Sequence, residues 1–177
     1  SPPPPIAVSE YIQADTPPTY AAPRGSTEHD LTFTDVTASV GIRFTHVNGA
    51  FGEKWMPETM GGGGGFFDFD GDGWADILLV NSGYWPGHEQ PGMTPTSRLF
   101  RNRRDGTFED VTPASELAGV SGYGMGFAAA DYDGDGDNDL YITAVGKNHL
   151  LRNDGGKFVD VTDEAGVGFS TCNGAAS

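Results

Sequence analysis

The stretch Asp68-Phe-Asp70-Gly-Asp72-Gly-Trp-Ala-Asp76-Ile returns later in the chain as Asp131-Tyr-Asp133-Gly-Asp135-Gly-Asp-Asn-Asp139-Leu. Each copy sets carboxylates at loop positions 1, 3, 5 and 9, with glycine at 4 and 6. That spacing lets a short loop wrap a hard cation in oxygen ligands. Calcium suits it best, because calcium takes 6–8 oxygens at flexible geometry while magnesium keeps its waters and demands an octahedron. A solvated Asp/Gly turn is a common alternative for a single copy. Two full copies in matching contexts argue against it.

The loops begin as an EF-hand does, but an EF-hand closes with a bidentate Glu at position 12 and runs into a helix. Here position 12 is Leu79 in one copy and Ile142 in the other. The segments directly after the loops, Ile77-Leu-Leu-Val80 and Leu140-Tyr-Ile-Thr-Ala-Val145, suit strands. The expectation is therefore a strand–loop–strand site for Ca2+, present twice. Its side-chain ligands are Asp68, Asp70, Asp72 and Asp76 in the first loop, and Asp131, Asp133, Asp135 and Asp139 in the second. The carbonyls of Trp74 and Asp137, at position 7, should also turn inward. Gly73 and Gly136, with their partners at position 4, would supply the positive φ angles of a tight wrap.

The repetition extends past the loops. Phe108-Glu-Asp110-Val111-Thr112 recurs as Phe158-Val-Asp160-Val161-Thr162, with an earlier copy at Phe33-Thr-Asp35-Val36-Thr37. Leu99-Phe-Arg101-Asn102 answers Leu150-Leu-Arg152-Asn153, and Gly63 to Asp68 answers Gly126 to Asp131. One unit thus reads as a Gly-rich strand, a cation loop, an apolar strand, an L-x-R-N strand, a D-G turn and an F-x-D-V-T strand. Four short strands in a period of ~50–60 residues is the pattern of a propeller blade. The first unit is lengthened by a surface insertion from Ser82 to Thr96.

These units resemble FG-GAP/VCBS-type repeats, the calcium-bearing blades of integrin-α-like propellers. Pro57-Glu-Thr-Met-Gly61 ahead of the first loop, together with L-x-R-N and F-x-D-V-T, is closest to bacterial ASPIC/UnbV proteins similar to cartilage acidic protein. The resemblance covers about residues 30–169. It implies a calcium-stabilised β-propeller, secreted or surface-exposed, used for adhesion or recognition, with the eight loop aspartates as ligands. It does not fix a partner, because a shared fold does not transfer function.

The fold class expected is all-β: two propeller-type blades, about 60–112 and about 123–162, within a repeat domain at 31–177, preceded by a Pro-rich arm at 1–30. A propeller needs about 4–8 blades to close. Two blades, plus Phe33–Thr37 as an outer strand, read as a fragment, a two-blade module, or a protomer completed by neighbours. Open strand edges would template pairing with another chain, so copies of the same chain are the expected partners. Seven of the 12 prolines precede Arg24, which excludes a helix there. That arm reads either as a linker or as a segment, including a possible strand at Ile6–Ile12, that extends onto a neighbouring subunit.

A net charge of −15 argues against nucleic acid, which needs a basic patch. The four arginines between Arg98 and Arg104 read as an outward strand face. No apolar run approaches a membrane span of about 18 residues. Cys172 has no second cysteine to pair with in the chain, and no N-x-S/T acceptor occurs. His29, His46, His88 and His149 lack zinc spacing, and the five glycines at 61–65 lack the Lys-Ser/Thr of a phosphate loop. No enzyme is expected. Trp55, Trp74, Tyr84 and Trp85 are open to two roles, stacking on a sugar or packing. The functional expectation is an extracellular, calcium-stabilised structural or adhesion module that self-assembles into a fibre or surface layer. The alternative is a non-catalytic carbohydrate- or protein-recognition fragment of a larger secreted protein.

Overall fold

The computed structural model describes residues 32–120 and 122–168. The Pro-rich arm at 1–30 and Cys172 lie outside the described residues. Eight strands form two four-stranded antiparallel meanders, each in simple sequence order. The first sheet holds β1 (Gly64–Phe67), β2 (Asp76–Leu79), β3 (Arg98–Asn102) and β4 (Phe108–Asp110). The second holds β5 (Tyr123–Ala130), β6 (Asp139–Val145), β7 (His149–Asn153) and β8 (Phe158–Asp160). Helix is confined to short turns, among them α1 (Met56–Met60) and α2 (Thr162–Ala165). The architecture is all-β and blade-like, and it is not closed into a barrel.

The repeated motifs are the hydrogen-bond scaffold of these sheets. In F-x-D-V-T the valine amide donates to the first leucine carbonyl of L-x-R-N: Val111 to Leu99 and Val161 to Leu150, both at 2.9 Å. The buried threonine hydroxyl then accepts that leucine's N–H, Leu99 to Thr112 at 2.9 Å and Leu150 to Thr162 at 2.8 Å. The aspartate caps the threonine amide, at 3.0 Å in both sheets. One short motif so ends the outer strand and satisfies polar groups that burial would otherwise leave costly.

Both sheets contribute to one core. Phe67, Leu78, Val80 and Leu99 come from the first sheet, and Leu140, Ile142, Leu151 and Phe158 from the second. Leu78 pairs with Leu99 in the first sheet and Leu140 with Leu151 in the second, one residue apart in the frame of the repeat. Each such fully buried leucine is worth roughly 1.5–3 kcal/mol in transfer free energy. Close approach of the innermost strands demands glycine: a Cβ on Gly63 would lie 2.8 Å from the Cα of Gly126. The Gly-rich run therefore admits backbone rather than phosphate.

Phe33–Thr37, expected as a strand, is not one. The described part before Val36 has no regular structure, and the ring of Phe33 is exposed. The turn after the motif is nonetheless retained. Val40 donates to Val36 (3.0 Å), as Ser115 does to Val111 and Ala165 to Val161 (both 2.9 Å). A strand requires a neighbouring strand to complete its hydrogen bonds, whereas a turn closes on itself. The arginines of β3 and its adjoining turn do form a charged surface, pairing with Glu109, Asp110 and Asp72.

Candidate metal centre

Each aspartate loop bridges the two innermost strands of its sheet. Phe67 pairs with Asp76 and Ala130 with Asp139, so the position-9 aspartate opens the second strand directly opposite the residue that precedes position 1. Asp76 and Asp139 are fully buried and doubly held. Asp76 accepts from the amides of Phe69 (3.0 Å) and Asn102 (2.7 Å). Asp139 accepts from Tyr132 (2.8 Å) and Asn153 (2.7 Å). Position 1 folds the loop over itself: Asp68 accepts from Asp72 and Gly73, and Asp131 from Gly134 and Gly136. The wrap needs glycine at position 6, where Gly73 has φ 84° and Gly136 φ 101°.

Carboxylate oxygens of Asp68, Asp70 and Asp76 converge within 4.8 Å of one another, and those of Asp131, Asp133 and Asp139 do the same. Asp72 and Asp135 stand outside these triplets. Each accepts from the amide two residues on, Trp74 and Asp137 respectively, which pins the peptide at position 7. Asp72 also meets the guanidinium of Arg104 at 2.7 Å, and that contact holds its carboxyl below the usual range. The Asp137 carboxylate accepts from Gly155 at 2.9 Å.

Like charges crowd both triplets. Burial, reinforced by the charges of Asp72 and Asp68, pushes the Asp70 carboxyl up, and burial does the same to Asp76. In the second loop burial and the neighbouring Asp135, Asp139 and Asp131 charges raise Asp133. Asp70 Oδ1 is buried with no hydrogen-bond partner. A buried carboxylate oxygen without a donor, crowded by other carboxylates, is a donor set that a hard cation completes. The residues present fit a metal ion.

Residues 68–142 match the FG-GAP-like repeat family. The match starts at position 1 of the first loop and ends within β6, so it spans both loops. No curated protein matches the chain.

The aromatic residues divide. Trp74 sits in the first loop, half exposed, away from the others. Trp55 meets Trp85 edge-on at 4.7 Å, Trp85 leans on Tyr123 at 4.8 Å, and Phe51 stacks on His88 at 3.8 Å. Tyr84 donates instead to the Met93 sulfur at 3.2 Å. Under this cluster Glu58 is buried, and its Oε1 and the Trp85 Nε1 have no hydrogen-bond partner. Burial raises the Tyr123 hydroxyl pKa, and the Glu58 charge adds to that rise. Sequence reasoning missed Arg104 and Asn153, which hold the loops from outside, and Asn138, which reaches from the second loop to the first. The asparagines of the repeated L-x-R-N were the available signal.

Proposed function

We propose that this chain is a calcium-stabilised structural or adhesion module that works outside the cell and associates with copies of itself. The observation that carries the reading is the buried, unpartnered Asp70 Oδ1 inside a converged carboxylate triplet. Asp68, Asp70 and Asp76 would hold one ion, and Asp131, Asp133 and Asp139 the other. Asp72 and Asp135, and the carbonyls of Trp74 and Asp137, complete the proposed shells. The VCBS and ASPIC/UnbV affinity proposed for the chain rests on Pro57–Gly61 and the repeated strand motifs.

The role is mechanical rather than catalytic. Calcium bound only by the folded loops adds its binding free energy to folding, about 2.7 kcal/mol at a hundredfold excess over Kd. It also relieves the repulsion that otherwise loosens each inner hairpin. Self-association is supported by the outer face of the first sheet. Gly63, Gly65 and Phe67 face the second sheet, so alternation turns Phe66 the other way, and it is 72% exposed. A second copy packed on this face would remove that ring from water.

Light scattering and negative-stain microscopy in calcium and then in EGTA test the reading. Calcium-dependent rings or filaments support it, and a monomer in both buffers removes the assembly claim. For the ions, Asp70→Ala and Asp133→Ala should each lower the melting temperature in calcium and change it little in EGTA. Equal destabilisation in both buffers would overturn the calcium role. A second reading, a recognition module for glycan or protein, is favoured by the half-exposed Trp55 and its ring neighbours. Glycan-array binding that is lost on Trp55→Ala would establish it.

A further inference from the structure

The two loops are joined by side chains of the second sheet. The Asn138 side-chain amide, at position 8 of the second loop, donates to the Asp68 carbonyl at 2.8 Å. The side-chain amide of fully buried Asn153 donates to the Phe69 carbonyl at 2.7 Å and to the Asn138 carbonyl at 3.0 Å. Its Oδ1 accepts from Gly156 at 2.8 Å, so only this orientation of the amide satisfies every partner. The backbone amide of the same Asn153 donates to Asp139, and the amide of Phe69 donates to Asp76. A continuous path therefore runs from one buried carboxylate to the other: Asp139, Asn153, Phe69, Asp76.

The path has no counterpart within the first sheet. Asn102, at the equivalent place in β3, donates to the Asp76 carboxylate from its backbone and to the Ala75 carbonyl from its side chain. Position 8 of the first loop is Ala75, which has no side-chain amide to offer. The brace thus runs from the second sheet and its loop to the carbonyls at positions 1 and 2 of the first, which flank Phe69, with Asp68 directly before them and Asp70 directly after.

We propose that Asn138 and Asn153 are positioning residues that couple the loops, so that calcium in the second loop raises the affinity of the first. This coupling rests on the proposed calcium role of both loops. Fixing Asp139 on an ion fixes Asn153, which holds the Phe69 peptide and with it the geometry of the first triplet. By linkage the first ion raises the affinity of the second by the same factor.

The test is isothermal titration of the whole chain with calcium, as wild type, Asp133→Asn, Asn138→Ala and the double variant. Asp133→Asn silences the second loop and is expected to weaken the first about tenfold, within the usual range of coupling. In the Asn138→Ala background that loss should shrink to about twofold or less on the same scale. Alanine is what the first loop itself carries at that position, so this variant is expected to fold, with circular dichroism as the check. Asn153→Ala would strip donors from two carbonyls at once and serves only as a stronger second variant.

Two sites that bind independently in the wild type would overturn the coupling and leave the calcium reading intact. A loss of equal size in both backgrounds would assign the effect to charge alone and overturn the role of the asparagines. No calcium binding by the wild type would remove both.

Discussion

The two aspartate loops have closely similar sequences and different surroundings. Phe69, at position 2 of the first loop, is 5% exposed and belongs to the core, while Tyr132, at the same position of the second, is 47% exposed. The ring of Phe69 rests near Gly156 in the β7–β8 turn, and both carbonyls beside it are held by asparagines of the second sheet. The second loop presents Asp131 through Gly136 to solvent. In stacked sheets, then, a loop is braced by the next unit along the chain, and the motif alone does not determine how rigid it is.

Truncating the position-2 ring should separate the loops most widely. Phe69→Ala is expected to cost about 3–5 kcal/mol by chemical denaturation, since it opens a core cavity, whereas Tyr132→Ala should stay within about 1 kcal/mol. Next in size is calcium itself, which at a hundredfold excess over Kd should add about 2.7 kcal/mol per site and raise Tm by several degrees.

Acid should erase that difference. Asp70 and Asp76 in the first loop and Asp133 in the second have carboxyls raised in the cation-free fold. A carboxyl that is raised on folding keeps its proton longer in the folded state, so these groups make the cation-free protein lose stability as pH rises through their titration and regain it on acidification. At loops that bind calcium as proposed, protons would compete with the ion for the same oxygens. The melting gap between calcium and EGTA should therefore close as pH falls from about 6 toward about 4, the carboxylate range.

The smallest effect expected is at Arg104, which pairs with Asp72 in the first loop. Arg104→Ala should change stability by less than about 1 kcal/mol, as exposed pairs do. If Asp72 completes the first shell, the same variant should tighten calcium at that loop severalfold, because a competing cation has gone. Unchanged affinity would leave Asp72 outside the shell.

The spacing of the aspartates and the four-strand period were legible because both are local: loop wrapping needs fixed offsets, and strands need alternation. L-x-R-N and F-x-D-V-T were visible as repeated strings, but their purpose was not. Thr112 satisfies Leu99 across 13 residues, and Asn153 reaches Phe69 across 84. The copy at Phe33–Thr37 misled for the same reason, since a string carries its turn with it but not the strand it must pair with. The cluster of Phe51, Trp55, Trp85 and Tyr123 had no period to reveal it, because it joins residues outside the strands to the first residue of β5.

One hydrogen bond recurs between units. The Phe108 amide donates to the Val40 carbonyl at 2.7 Å and the Phe158 amide to the Ser115 carbonyl at 2.9 Å, in each case seven residues past the phenylalanine of the preceding motif. The acceptor belongs to the turn after one motif, and the donor to the outer strand of the next. A graft, deletion or exchange made at the gap between the sheets would therefore keep each sheet whole and break its hinge to the next. The interchangeable cassette runs from turn to turn, out of step with the visible blades. Ala165, seven residues past Phe158, marks where an added cassette would be joined.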